Sequence, residues 1–99
     1  MITVFIEYKL LDGRRTQYAA QIAAIKRETE ARGGRGYRWY EGVEQPNLFV
    51  ETFDVDTLEQ YEAIKAWRLG DAAFAENIAG GTAKLHIWAF RPLAAGIQE

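Results

Sequence analysis

The chain has no cysteine and only one histidine, His86. Serine is missing altogether. Without cysteine there is no disulfide framework, no thiolate nucleophile and no cysteine-ligated zinc site. Without serine no Ser-His-Asp set can be assembled. A lone histidine is a poor start for a zinc centre, even with Glu7 and Glu51 as helpers, so no metal is expected. Strong charge of one sign is also lacking: the net charge is −2. A general polyanion binder is more basic than this, so nucleic acid is not an expected partner. Long apolar runs are absent too. No stretch approaches the ~20 apolar residues of a membrane span. The stretch Met1 to Leu11 has no basic start and carries Glu7 and Lys9, so it does not read as a signal peptide. The expectation is a cytoplasmic protein with no membrane partner.

What is present suits one small globular domain. The 99 residues are 48% hydrophobic and 26% charged, an ordinary balance for a folded chain. Ile2 to Tyr8 reads as a strand, β-branched and aromatic, ending before the turn signal Asp12-Gly13. Its even positions form one face, and Thr3, Phe5, Glu7 and Lys9 form the other. Arg14 to Arg32 reads as a helix, with Tyr18, Ile22, Ile25 and Thr29 in one stripe and Gly33-Gly34 as its stop. Gly36 to Glu41 and Asn47 to Asp54 read as a hairpin around Gly42-Val43-Glu44-Gln45-Pro46. If Gly42 pairs with Asn47, Tyr40 faces Phe49 and Arg38 faces Glu51. A slip of one residue puts Tyr37 and Trp39 on that face instead.

Asp56-Thr57-Leu58-Glu59 has the spacing of a capping box. It predicts a helix to about Arg68, with a stripe of Leu58, Tyr61 and Ile64 and with Trp67 at the flank. Asp71 is placed to cap a short segment through Phe74 and Ile78, which Gly80-Gly81 closes. Thr82 to Phe90 reads as the last strand, Pro92 ends it, and residues 93–99 read as a tail. The order β-α-β-β-α-β predicts an α+β, ferredoxin-like domain over residues 1–92. Right-handed crossovers give a four-stranded antiparallel sheet with two helices on one face.

Each strand has an aliphatic face and a second, unusual one. Val4, Ile6, Leu48, Val50, Leu85 and Ile87 are the expected floor under the helices. The opposite face is then expected to collect Phe5, Glu7, Phe49, Glu51, Phe53, His86, Trp88 and Phe90, with Arg38 and Tyr40 if the first register holds. A solvated sheet face normally reads polar. Aromatic rings bury roughly 150–250 Å² each, so this face exceeds the roughly 300–600 Å² patch that a monomer tolerates. A twin subunit is the expected cover, and a partly hydrated aromatic cavity would accommodate Glu7, Glu51 and His86.

The run Trp67-Arg68-Leu69-Gly70-Asp71-Ala72-Ala73-Phe74, then Ile78-Ala79-Gly80-Gly81, then His86-Ile87-Trp88-Ala89-Phe90, resembles the dimeric α+β barrel superfamily as a pattern over about residues 1 to 92. That superfamily includes antibiotic-biosynthesis monooxygenases, muconolactone-isomerase-like proteins and NIPSNAP-like proteins. The resemblance implies a homodimer whose two sheets pack into a barrel. It also implies cofactor-free monooxygenase or isomerase-like chemistry as one outcome, and a haem-binding variant as another. The Asn-Trp-His set of the haem-degrading branch does not map here, because the first strand lacks Asn. No cofactor is expected.

The catalytic candidates are His86 as a base or polar anchor, and Glu7 with Glu51 as a carboxylate pair able to share a proton. The ligand-binding candidates are Phe5, Arg38, Tyr40, Phe49, Phe53, Trp67, Trp88 and Phe90. Each has a plainer reading. His86, Trp88 and Phe90 would pack a subunit interface, Glu51 would pair with Arg38, and Glu7 would pair with Lys84 or Lys9. The segment Arg32-Gly33-Gly34-Arg35-Gly36 resembles an RNA-binding motif, but a helix C-cap explains it more simply. Two functions therefore stand side by side. One is a dimeric barrel holding a small apolar or aromatic molecule. The other is a non-catalytic dimer in which the aromatic face only seals the interface.

Overall fold

The computed structural model describes residues 1–94. Most of the predicted tail, residues 95–99, lies outside the described residues. The elements run β1 (Ile2–Lys9), α1 (Arg15–Ala31), β2 (Arg35–Glu41), β3 (Leu48–Val55), α2 (Leu58–Leu69), α3 (Ala72–Ala75), a 3₁₀ turn (Gly81–Lys84) and β4 (His86–Phe90). The sheet order is β2-β3-β1-β4, with every neighbour antiparallel. This is the expected ferredoxin-like α+β architecture. No described helix is long and apolar enough to cross a membrane.

Both long helices cover one face of the sheet. Tyr18, Ile22 and Ile25 of α1 and Tyr61 and Ile64 of α2 share one core with Val4, Ile6, Tyr8, Phe49, Phe53, Val55 and Ile87. The stripe read in α1 is the buried one, Thr29 included. Its end is a Schellman motif: Gly33 N donates to Glu30 O (3.1 Å) and Gly34 N to Thr29 O (2.9 Å). Gly33 takes the left-handed conformation (φ +99°). At Gly34 the constraint is space, because a Cβ there would sit 2.9 Å from the Thr29 carbonyl oxygen and 3.3 Å from the Phe53 ring.

Four expectations shift. The N-cap of α2 is Thr57 rather than Asp56. Its box closes with Gln60, which donates from its backbone to Thr57 Oγ1 (3.1 Å) and accepts from Thr57 N (3.1 Å). The α2 stripe is Tyr61, Ile64 and Arg68, while Leu58 is exposed. The last strand begins only at His86, because Gly80 and Gly81 both take positive φ and turn the chain through the 3₁₀ segment first.

The fourth shift is the hairpin register. Asn47 takes φ +70° and belongs to the turn. The closing contact is therefore Gly42 N to Leu48 O (2.8 Å), not Gly42 with Asn47. Trp39 then lies opposite Glu51, Tyr40 opposite Val50 and Arg38 opposite Thr52. Arg15 fixes this turn by donating to both Glu41 oxygens (2.8 and 2.9 Å) and to Asn47 Oδ1 (2.8 Å). Those bonds, with one from Asn47 N, hold the Glu41 carboxyl down at about 2.

Candidate functional site

Antiparallel partners share a face, so the register assigns each side chain to a side. On the face away from the helices, the rows run across the sheet as Arg38–Thr52–Phe5–Trp88, then Tyr40–Val50–Glu7–His86, then Leu48–Lys9. Phe90 stands opposite Thr3. Phe5, Arg38, Tyr40, Trp88 and Phe90 therefore lie on the expected open face, together with Glu7 and His86. Phe5 and Phe90 meet edge to face (5.3 Å, 83°), and His86 stacks flat on Trp88 (5.5 Å, 5°). Phe5, Tyr40, Leu48, Val50, Trp88 and Phe90 surround an open concavity of about 700 Å³. Tyr40 is 46%, Trp88 45% and Phe90 55% exposed.

Phe49, Glu51 and Phe53 are on the other side, which corrects the expectation for all three. Both faces of β3 are apolar, Leu48 and Val50 on one and Phe49, Phe53 and Val55 on the other. Alternation alone did not choose between them. The larger rings went inward. Phe49 borders the concavity, but its ring stacks on Trp39 (5.7 Å, 17°) and meets Tyr18 (4.9 Å). Phe53 stacks on Tyr37 (6.3 Å, 15°).

Glu51 is 0% exposed and is held by Arg68, also 0% exposed, through two parallel bonds of 2.7 Å. Tyr8 and Tyr37 each donate a hydroxyl to the same carboxylate at 2.7 Å. Tyr18 bonds to Tyr8, and Trp39 Nε1 donates to Tyr18 Oη at 2.6 Å. The result is one hydrogen-bonded network between sheet and helices. Burial pulls the Arg68 guanidinium toward losing its proton, and the Glu51 carboxylate more than offsets this, so Arg68 stays charged above its ordinary range. Burial, reinforced by the Glu51 charge, pushes the Tyr8 and Tyr37 hydroxyls well above the usual tyrosine value. Tyr18 is also raised, mainly by burial.

This network excludes two readings. Glu7 and Glu51 do not face each other, since Glu7 pairs with Val50 across the sheet while Glu51 pairs with Ile6. They cannot share a proton. Glu51 is bound by Arg68 and not by Arg38, and it has no solvent-reaching surface from which to act as a base. Among the described residues neither Lys9 nor Lys84 forms an ion pair with Glu7. Trp67 stands apart on the helix layer, where the Arg32 guanidinium lies 4.0 Å from its ring centre. The proton-transfer candidates left on the open face are His86 and Glu7, directly opposite one another on β4 and β1.

The residues not foreseen were Arg68, Tyr8, Tyr18, Tyr37 and Trp39 as a unit, and Leu48 and Val50 as cleft lining. One signal was available. Arg68 follows Tyr61 and Ile64 at i+7 and i+4, so an arginine sat on the apolar stripe of α2 and required a buried acid.

No family profile matches the chain, and no curated protein matches it in sequence. Solved structures do match in shape. A candidate antibiotic biosynthesis monooxygenase from Bordetella bronchiseptica superposes with a TM-score of 0.71 at 17% identity, over 94% of this chain and 97% of that one. A candidate antibiotic biosynthesis monooxygenase from Nitrosomonas europaea gives 0.74 at 13% identity, over 95% and 100%. A conserved protein from Methanosarcina mazei Go1 gives 0.75 at 13% identity, over 91% and 90%. Identities this low speak for the backbone alone. The chain has the ferredoxin-like α+β fold of the antibiotic-biosynthesis-monooxygenase-like proteins.

Proposed function

We propose that the protein pairs with a second copy through the open sheet face, and that the paired faces enclose a site for a small, planar, apolar molecule. One observation carries this reading: Phe5, Tyr40, Trp88 and Phe90 stand around a concavity of about 700 Å³ on a face that no helix among the described residues covers. The helix-facing side is already filled by its own core. Tyr40, Trp88 and Phe90 are each about half exposed and stand together beside Phe5, and a contiguous aromatic patch of this kind marks an interaction surface. A second sheet covers them best, and a concave surface leaves room between the two sheets. His86 and Glu7, at the edge of the aromatic cluster, are the groups available to move a proton on a bound molecule. This suits cofactor-free chemistry of the monooxygenase or isomerase kind.

Sedimentation equilibrium, combined with thermal melting in the presence of a panel of planar compounds, tests this directly. The expected result is a dimer whose melting temperature rises with an apolar planar ligand. A ligand at 100 times its Kd adds about 2.7 kcal/mol. His86→Ala should keep the dimer while losing turnover. A chain that stays monomeric and ignores the whole panel overturns the reading. A dimer that ignores the panel leaves only an interface.

A further inference from the structure

The open face is graded along its length. Phe5, Trp88 and Phe90 occupy one end, and Lys9, Lys84 and His86 the other. The basic end is a second depression of about 450 Å³, formed where β1 and β4 meet the 3₁₀ turn. Glu7 and Leu48 border both depressions, so the two adjoin. Among the described residues, neither Lys9 nor Lys84 has a carboxylate within ion-pairing distance. Their charges are uncompensated there and outnumber the single carboxylate of Glu7. Lys84 is also seated. Its stem lies across Gly80, in the space that a Cβ at that position would need, and the left-handed φ of +83° keeps Gly80 there. Glycine thus lets the lysine lie flat along the rim of the depression instead of extending away from it.

We propose that the molecule bound on this face is a planar aromatic carboxylate. Its ring lies among Phe5, Trp88 and Phe90, and its carboxylate accepts hydrogen bonds from Lys84 and Lys9 beside His86. This rests on the reading that the face binds a small planar molecule, and it adds the charge of that molecule. Strand geometry sets the fit. From the Phe5 row to the Glu7 row is about 7 Å, and to the Lys9 row about 14 Å, at roughly 3.4 Å per residue. That is the span of a two- or three-ring acid. A neutral ring system would leave the lysines idle, and a cationic one would meet them with like charge.

Calorimetric titration of the intact protein with naphthoate and with neutral naphthalenemethanol tests the assignment. Naphthoate should bind about tenfold tighter, the order of one charge-assisted hydrogen bond, and its advantage should shrink as salt is raised. The double variant Lys9→Gln/Lys84→Gln should bring naphthoate down to the affinity of the alcohol and leave the alcohol unchanged. Both lysines are exposed, so the variant should melt as the parent does. Equal affinities in the parent overturn the carboxylate assignment while the aromatic site stands. An acid preference that survives in the double variant overturns it as well. If neither compound binds, the reading of the face itself fails, and this inference falls with it.

Discussion

On the helix-facing side of the sheet, Tyr8, Phe49, Phe53 and Glu51 are closed in by α1 and α2. On the other side, Phe5, Trp88, Phe90, Glu7 and His86 stand in the open. The residue types are nearly the same: rings with a carboxylate among them. What differs is the partner supply. The inner carboxylate has a guanidinium and two phenols, all within 2.7 Å. The outer one has no ion pair among the described residues. A buried charge persists only where its bonds are made, so the inner face is committed to structure. An unpaired polar group beside exposed rings is free to meet something else.

Breaking the inner pair should have the largest effect. Glu51→Ala leaves the Arg68 charge buried with no counter-ion, and should cost about 3–5 kcal/mol in denaturant melts. Replacing both, as Glu51→Met with Arg68→Met, should recover most of that loss. A double variant as unstable as the single one would show that the tyrosines, rather than the ion pair, depend on Glu51.

High pH attacks the same side. Tyr8, Tyr18 and Tyr37 have folded pKa values raised above the unfolded one. Their contribution is therefore complete below the unfolded tyrosine value of about 10 and is lost as pH rises past it, because the unfolded chain releases protons that the folded one keeps. Each can contribute a slope approaching about 1.4 kcal/mol per pH unit. Tyrosinate absorbance followed against pH should show three of the five tyrosines ionising only as the chain unfolds.

Gly34→Ala comes next. It forces a methyl against the Thr29 carbonyl and the Phe53 ring, and should cost about 1–3 kcal/mol by thermal melting. The smallest effect on the fold is expected on the outer face. Trp88→Ala should change the stability of the monomer by no more than about 0.5 kcal/mol, while weakening self-association measured by sedimentation. A large loss of monomer stability would mean that the outer rings are core after all.

Much of the fold was legible in the sequence. The stripe Tyr18, Ile22, Ile25, Thr29 and the stop at Gly33-Gly34 follow from helical period and glycine conformation, which are local. The side taken by β3 is not local. Leu48 and Val50 suit a helix-covered face as well as Phe49 and Phe53 do, and the choice depends on Arg68, which lies 17 residues beyond Glu51 in sequence. The hairpin register turned on Asn47 accepting a left-handed backbone, which its side chain permits but does not demand. Of the site, the strand-parity reading of β1 and β4 held. Phe5, Glu7, His86, Trp88 and Phe90 share a face because each strand alternates without interruption.

The three tryptophans occupy three separate surroundings. Trp39 donates to Tyr18 at the edge of the inner network, Trp67 lies under Arg32 on the helix layer, and Trp88 stacks with His86 on the outer face. Fluorescence can therefore be divided by region. A variant keeping only Trp88 reports on whatever approaches the outer face, and one keeping only Trp39 reports on the loosening of the buried tyrosines. Comparing the two in a single titration separates occupation of the face from unfolding of the domain, with no label added.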